Sequence, residues 1–181
     1  MEVNEAATIT TIAAVSVAKA IQKVTGKEVQ IKWVNDLFFQ GSKICGILTE
    51  GALNMESKGM DYVVVGIGLN VKLPQNGFPK ELELIATSLE TKGQEESRNR
   101  LVAECLNCFF HYYNQLPQRN YVEEYRKRSL ILGKEILVMS TENGIPARAI
   151  DIDEDCHLLV EYENKKQEWL SSGEVSIRKR F

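Results

Sequence analysis

Ile9, Ile12, Ala13, Val17, Ala20, Ile21 and Val24 recur at steps of three and four, the period of an amphipathic helix. Ala14 and Val15 widen the stripe until most of the girth is apolar, so this helix needs a sizeable sheet to cover it. Asn4 is a capping residue type at its start and Gly26 a stop at its end. Beyond Gly26 the pattern changes to that of strands. "EVQIKWVNDLFFQ" turns at Gln40-Gly41-Ser42 into "KICGILTEGAL", and "NMESKG" leads on to "DYVVVGIGLNV", which predicts three strands joined by two hairpin connections. A loop with Pro74, Asn76-Gly77 and Pro79 follows, with the composition of a mobile surface loop. Helical patterns then occupy roughly 80 to 88 and 95 to 129, the second broken near Pro117. From Leu132 the texture becomes "GKEILVMS", "IPARAIDI", "HLLVEY", "KQEWL" and "EVSIRK", short strands that suggest a small all-β unit of about 50 residues. The expected fold is α+β: a mixed, mostly antiparallel sheet with helices on one side over residues 1–130, then a small β-barrel over 131–181.

Composition narrows the class. At 44% hydrophobic and 26% charged, the 181 residues have an ordinary globular make-up. A net charge of −3 gives no electrostatic reason to expect nucleic acid. No apolar run reaches the ~18 residues of a membrane span, and "MEVNEAATIT" has no basic region of the kind that opens a signal peptide. Four cysteines in a chain of this length do not make a disulfide framework, which points to a reducing compartment, the cytoplasm.

The candidate chemistry lies in "IKWVNDLFFQGSKICGILTE", residues 31 to 50, where Lys32, Asn35, Asp36 and Lys43 interrupt residues that want burial. In "VVVGIGLNV" alternation puts Val63, Val65, Ile67 and Leu69 on one face and Gly66, Gly68 and Asn70 on the other. Ile44, Gly46 and Leu48 share a face of the neighbouring strand, so Gly46, Gly66 and Gly68 would floor a flat pocket of bare backbone. The bland alternative is a bulge, or close approach of a helix to those glycines. Lys43 could reach the rim, and Asn35 and Asp36 bring an amide and a carboxylate near it. A lysine with amide donors neutralises phosphate or carboxylate charge. A carboxylate can hold Mg²⁺, orient the lysine or take a proton from an attacking amine. Together they form the kit for joining a carboxylic acid to ATP and then to a nucleophile, without the P-loop, which this sequence lacks. Cys105, Cys108 and His111 suit the buried side of an amphipathic helix better than a metal site, Cys45 has no histidine partner, and no metal site is expected. Cys156 falls in a turn where glycine would be easier if φ is positive.

"KWVND" (32–36), "KICGIL" (43–48) and "GIGLN" (66–70), in this order and spacing, resemble the catalytic core of the bacterial biotin–protein ligases. "IATSL" (85–89) also fits, and "SSGEVSIR" (171–178) is similar to the end of that family's SH3-like C-terminal domain. The resemblance implies ATP-dependent formation of biotinyl-5′-AMP, with Mg²⁺, and transfer of biotin to a lysine of the biotin carboxyl carrier domain of acetyl-CoA carboxylase. It implies Lys43 and Asp36 as catalytic residues, Lys43, Gly46, Leu48, Gly66 and Gly68 at biotin, and Asn35, Asn70 and Lys43 at the nucleotide; roles for Lys32 and Trp33 stay open. Val34 stands where the motif has proline. The family's glycine-arginine-rich loop lies upstream of the first helix and has no counterpart here, so a chain weakly active alone is expected, as a homo-oligomer or with a complementing N-terminal segment. A non-catalytic binding module derived from a biotin or lipoate ligase is the competing function.

Overall fold

The computed structural model describes residues 3–53, 59–89, 97–139 and 143–177. Helix α1 (Val3–Thr25) is followed by strands β1 (Gln30–Lys32), β2 (Asp36–Phe39), β3 (Ser42–Leu53) and β4 (Met60–Leu69). These form one antiparallel sheet in the order β1-β2-β3-β4. Helix α2 (Ser97–Tyr113), a 3-10 turn (Leu116–Gln118) and α3 (Val122–Lys127) come next. Strands β5 (Glu135–Val138), β6 (Ile145–Ile152), β7 (Leu158–Tyr162), β8 (Gln167–Leu170) and β9 (Val175–Ile177) build a second, SH3-like sheet, ordered β8-β7-β6-β5-β9.

Helix α1 ends where expected. Gly26 takes φ 71° and its N–H closes the last turn on the Gln22 carbonyl at 2.9 Å. The helix already includes Asn4, whose side chain lies outside the described residues. Ile12, Ala13, Ala14, Val15, Ala18 and Ile21 are all fully buried, the burial that an apolar girth demands. The helix packs on the sheet face carrying Cys45, Ile47 and Val65, where Thr10 Oγ1 donates to Thr49 Oγ1 at 2.7 Å. Alternation along β4 therefore put Val65 on the correct side. Among the described residues no helix covers the opposite face, with Gly46, Leu48, Gly66 and Gly68, and Leu48 is 61% exposed.

Three local expectations are corrected. "EVQIKWVNDLFFQ" is not one strand: it folds back at Trp33–Asn35 into a hairpin of β1 and β2. Asn and Asp are turn formers, and here that preference wins over the β-branched run. The Trp33–Val34 peptide within this turn is cis. The helix expected at 80 to 88 is a set of turns, in which Leu82 and Glu83 N–H both donate to the Pro79 carbonyl. It cannot continue, because 85–87 forms a parallel bridge to Lys43: Lys43 N–H donates to Ile85 O at 2.8 Å and Thr87 N–H to Lys43 O at 2.9 Å. Ile44, expected beside Gly46, is instead fully buried as the extra residue of a β-bulge between Leu37/Cys45 and Phe38/Lys43.

The second sheet docks through its β6–β7 turn. Trp33 Nε1 donates to the Cys156 carbonyl at 2.8 Å, and Arg119 donates to Glu154 O at 2.8 Å. Cys156 is buried at φ 61°, the left-handed conformation that would suit glycine. On the other edge of β1, Ile31 exchanges 2.7 Å backbone bonds with Arg128 and Leu130.

Candidate active site

Asp36 opens β2 opposite Lys32 of β1 and Gly46 of β3, and Gly46 in turn faces Gly68 of β4. One row across the sheet is thus Lys32, Asp36, Gly46, Gly68. Residues 43 and 46 are three apart, which in a regular strand would set them on opposite faces. The bulge at Ile44 removes that mismatch and turns Lys43 onto the glycine face. Its ammonium meets Asp36 Oδ1 at 2.6 Å, and a Cβ built on Gly46 would sit 3.3 Å from Lys43 Cε and 3.6 Å from Asp36 Oδ1. The ion pair lies directly over the glycine, with the lysine side chain 44% and the aspartate 19% exposed, so its charges are open to a ligand.

The pair sits in a cavity of about 700 Å³ with Lys32, Gly68 and Asn70 on its floor and walls. Leu82, Leu84 and Ile85 of the loop and Ser176 and Ile177 of β9 also line it. Asn70 anchors that loop: its backbone N–H donates to Ile44 O at 2.8 Å, its Nδ2 to Thr87 O at 3.1 Å, and its carbonyl accepts from Leu89 N–H at 3.0 Å. Asn35 is placed differently. Its Nδ2 donates to Ile47 O at 2.6 Å and its carbonyl accepts from Ile47 N–H at 3.1 Å, which ties the β1–β2 turn to β3 and leaves Asn35 outside the cavity lining. Leu48 and Gly66 lie further along the same sheet face, also outside the lining. Cys45 lies behind this face; burial pushes its thiol up to about 12, so it stays protonated.

Sequence reasoning missed the loop leucines and β9. Leu84 is 92% exposed, and Leu82 and Ile85 join it at the cavity rim. The available signal was the apolar alternation of "ELELI" after a proline- and glycine-bearing loop. Nothing in the sequence alone places Ser176 there, because its position depends on how the second sheet docks. Cys105, Cys108 and His111 do not converge as a metal-binding group among the described residues. Asp153, Asp155 and His157 do approach within 4.8 Å, but Asp153 Oδ1 accepts the N–H of both Asp155 and His157, which makes them a hydrogen-bonded turn.

A glycine-floored antiparallel sheet backed by one long helix, with an SH3-like sheet at its side, defines the class. The biotin/lipoate A/B protein ligase family matches residues 2–70, and the biotin protein ligase C-terminal domain matches residues 131–178. The chain belongs to the biotin protein ligase family. It is 32% identical over 157 residues to the bifunctional ligase/repressor BirA of Bacillus subtilis, covering 84% of this chain and 48% of that protein. To the biotin–[acetyl-CoA-carboxylase] ligase of Mycobacterium tuberculosis it is 30% identical over 136 residues, 74% of this chain and 48% of the other. A mutant biotin protein ligase from Aquifex aeolicus, solved in complex with biotin, superposes with a TM-score of 0.79 at 25% identity, over 96% of this chain and 72% of that one. The chain spans about half the length of the curated relatives it matches.

Proposed function

We propose that this chain carries the chemistry of a biotin–protein ligase. In the first step a biotin carboxylate oxygen bonds to the α-phosphorus of ATP, the bond to the β-phosphate breaks, and pyrophosphate leaves with the electron pair. In the second, the amine of an acceptor lysine bonds to the acyl carbon, AMP leaves, and the amine proton passes to a base. The observation that carries this reading is the Lys43–Asp36 pair at 2.6 Å, lying over Gly46 in an open cavity. Lys43 would neutralise the biotin carboxylate and then the phosphate charge that grows at the reacting centre. Asp36 would hold Lys43 in place and accept the acceptor amine's proton.

Gly46 and Gly68 would let biotin lie against bare backbone, with Leu48 and Gly66 extending that wall. Asn70 would serve the nucleotide by holding the loop that carries Leu82 and Leu84 to the cavity, and Asn35 would act through the turn that aims Asp36. Magnesium would come with the nucleotide; Asp36 is the one carboxylate among the described lining residues, which fits an ion held mainly by phosphates. Bound there, it would screen the phosphate charge. Residues 1–130 would form the C-terminal part of the catalytic domain and 131–181 the SH3-like domain. The acceptor would be a biotin carboxyl carrier domain, in the cytoplasm. The far side of β4 pairs with no described strand, which supports assembly with a second copy or with a complementing segment.

Biotin-dependent exchange of labelled pyrophosphate into ATP tests the first step. Lys43→Ala is expected to lower it by ~3 kcal/mol of barrier, a few hundredfold. Exchange unchanged in that variant would remove Lys43 from the chemistry.

A further inference from the structure

The ligase scheme leaves one charge in the cavity unused. Lys32 lies directly opposite Asp36 in the β1–β2 register, so both side chains leave the sheet on the same face, and both line the cavity. Asp36 is already engaged by Lys43. Among the described residues no carboxylate pairs with Lys32, and its ammonium lies 6.0 Å from the Phe38 ring centroid, at the outer limit of a useful cation–π contact. Among the described residues of the lining, two lysines stand against one carboxylate, and the charge without a paired carboxylate is that of Lys32.

Its position says what that charge could meet. Going across the sheet, the order is Gly68, Gly46, Asp36, Lys32, with strands about 4.8 Å apart. A ligand whose apolar body lies on the glycines and whose reacting group meets Lys43 over Gly46 has Lys32 two strands further on, one beyond Asp36 and away from the glycine floor. Of the groups in the proposed reaction, the polyphosphate is the one that carries dense negative charge beyond the reacting phosphorus. We infer that Lys32 binds the pyrophosphate portion of the nucleotide and stabilises it as it leaves. The inference rests on the proposed adenylation. In that step the carboxylate–phosphorus bond forms as the α–β bridge breaks, the electron pair stays on pyrophosphate, and no proton moves. An ammonium at the far end neutralises the departing charge without exchanging anything with it. A lysine suits a group that must be released, because it binds phosphate as a point charge on a flexible stem.

Calorimetry of the 181-residue chain with inorganic pyrophosphate, AMP and biotin as separate probes tests this. Lys32→Gln is expected to weaken pyrophosphate about tenfold or more while AMP and biotin change less than about twofold, and Lys32→Arg is expected to restore most of the loss. A second measurement uses the unaltered protein: pyrophosphate should protect Lys32 from acetylation by an amine-reactive reagent, as mapped by mass spectrometry. Equal pyrophosphate affinity in Lys32→Gln, equal weakening of all three probes, or Lys32 acetylated at the same rate with and without pyrophosphate would each overturn the inference. Pyrophosphate bound through Lys32 without any biotin-dependent exchange would sink the ligase reading, overturn the leaving-group role with it, and leave Lys32 as a pyrophosphate-binding residue alone.

Discussion

Gly66 and Gly68 separate two explanations that the sequence leaves level. A glycine inside a strand marks a bulge, a close neighbour or a bound molecule. The β3–β4 register runs unbroken past both residues, and a Cβ on Gly68 would meet nothing nearer than Gly46 O at 3.8 Å, one on Gly66 nothing nearer than Leu48 O at 3.6 Å. These are ordinary contacts, so the protein's own packing does not require glycine at either position. Gly68→Ala should therefore leave the urea midpoint almost unchanged while weakening biotin binding about tenfold or more, since a methyl would stand where the ligand meets the strand. A stable Gly68→Ala protein with normal biotin affinity would show that nothing lies against this floor. Gly46 differs: its added methyl would press Lys43 Cε at 3.3 Å, and the flexible ammonium end must yield by a few tenths of an ångström. The face of the glycines was legible because strand alternation has a period of two. The placing of Lys43 over Gly46 was not, because it depends on a bulge that no single residue announces.

At the level of elements, the β1–β2 turn serves two masters. Asn35 ties it to β3, Tyr125 Oη donates to Val34 O at 2.9 Å, and Trp33 Nε1 donates to the buried Cys156 carbonyl at 2.8 Å. The residues that aim Asp36 are thus held partly by α3 and by the second sheet. Taking the segment as one strand hid this, because the β-branched pattern of "VQIKWV" gives no sign of a fold-back until Asn35-Asp36 is weighed as turn chemistry. Trp33→Phe keeps most of the buried ring but removes the donor, leaving the Cys156 carbonyl unpaired. That should cost about 1–3 kcal/mol of unfolding free energy. It should also lower biotin-dependent exchange through Asp36, while adding free indole restores neither. Chemical denaturation and exchange assays on the same sample check both arms, and a variant as stable as the parent would show that the docking does not depend on this bond.

For the whole molecule, buried thiols tie the described parts to one pH response. Burial pushes Cys45, behind the active face, up to about 12, Cys156, at the docking turn, up to about 12, and Cys105, on α2, up to about 11. In the unfolded chain each thiol titrates near 9.0. Between that value and the folded ones the native state keeps protons that the unfolded state has lost, so unfolding releases protons and becomes easier as pH rises. The contribution is fully present below about pH 9 and is lost as pH climbs through the folded values, with a limiting slope of about 1.4 kcal/mol per pH unit for each thiol. Urea midpoints should therefore be flat from neutral pH to about 8.5 and fall from about 9 upward. Cys45→Ala removes one of these three thiol protons, together with its long 3.8 Å S–H bond to the Gly46 carbonyl, so its midpoint should fall less steeply over the same range. Equal slopes for the parent and Cys45→Ala between pH 9 and 10 would mean that the sheet opens to solvent before it unfolds, and that the core behind Lys43 and Asp36 is not the sealed layer on which their positions depend.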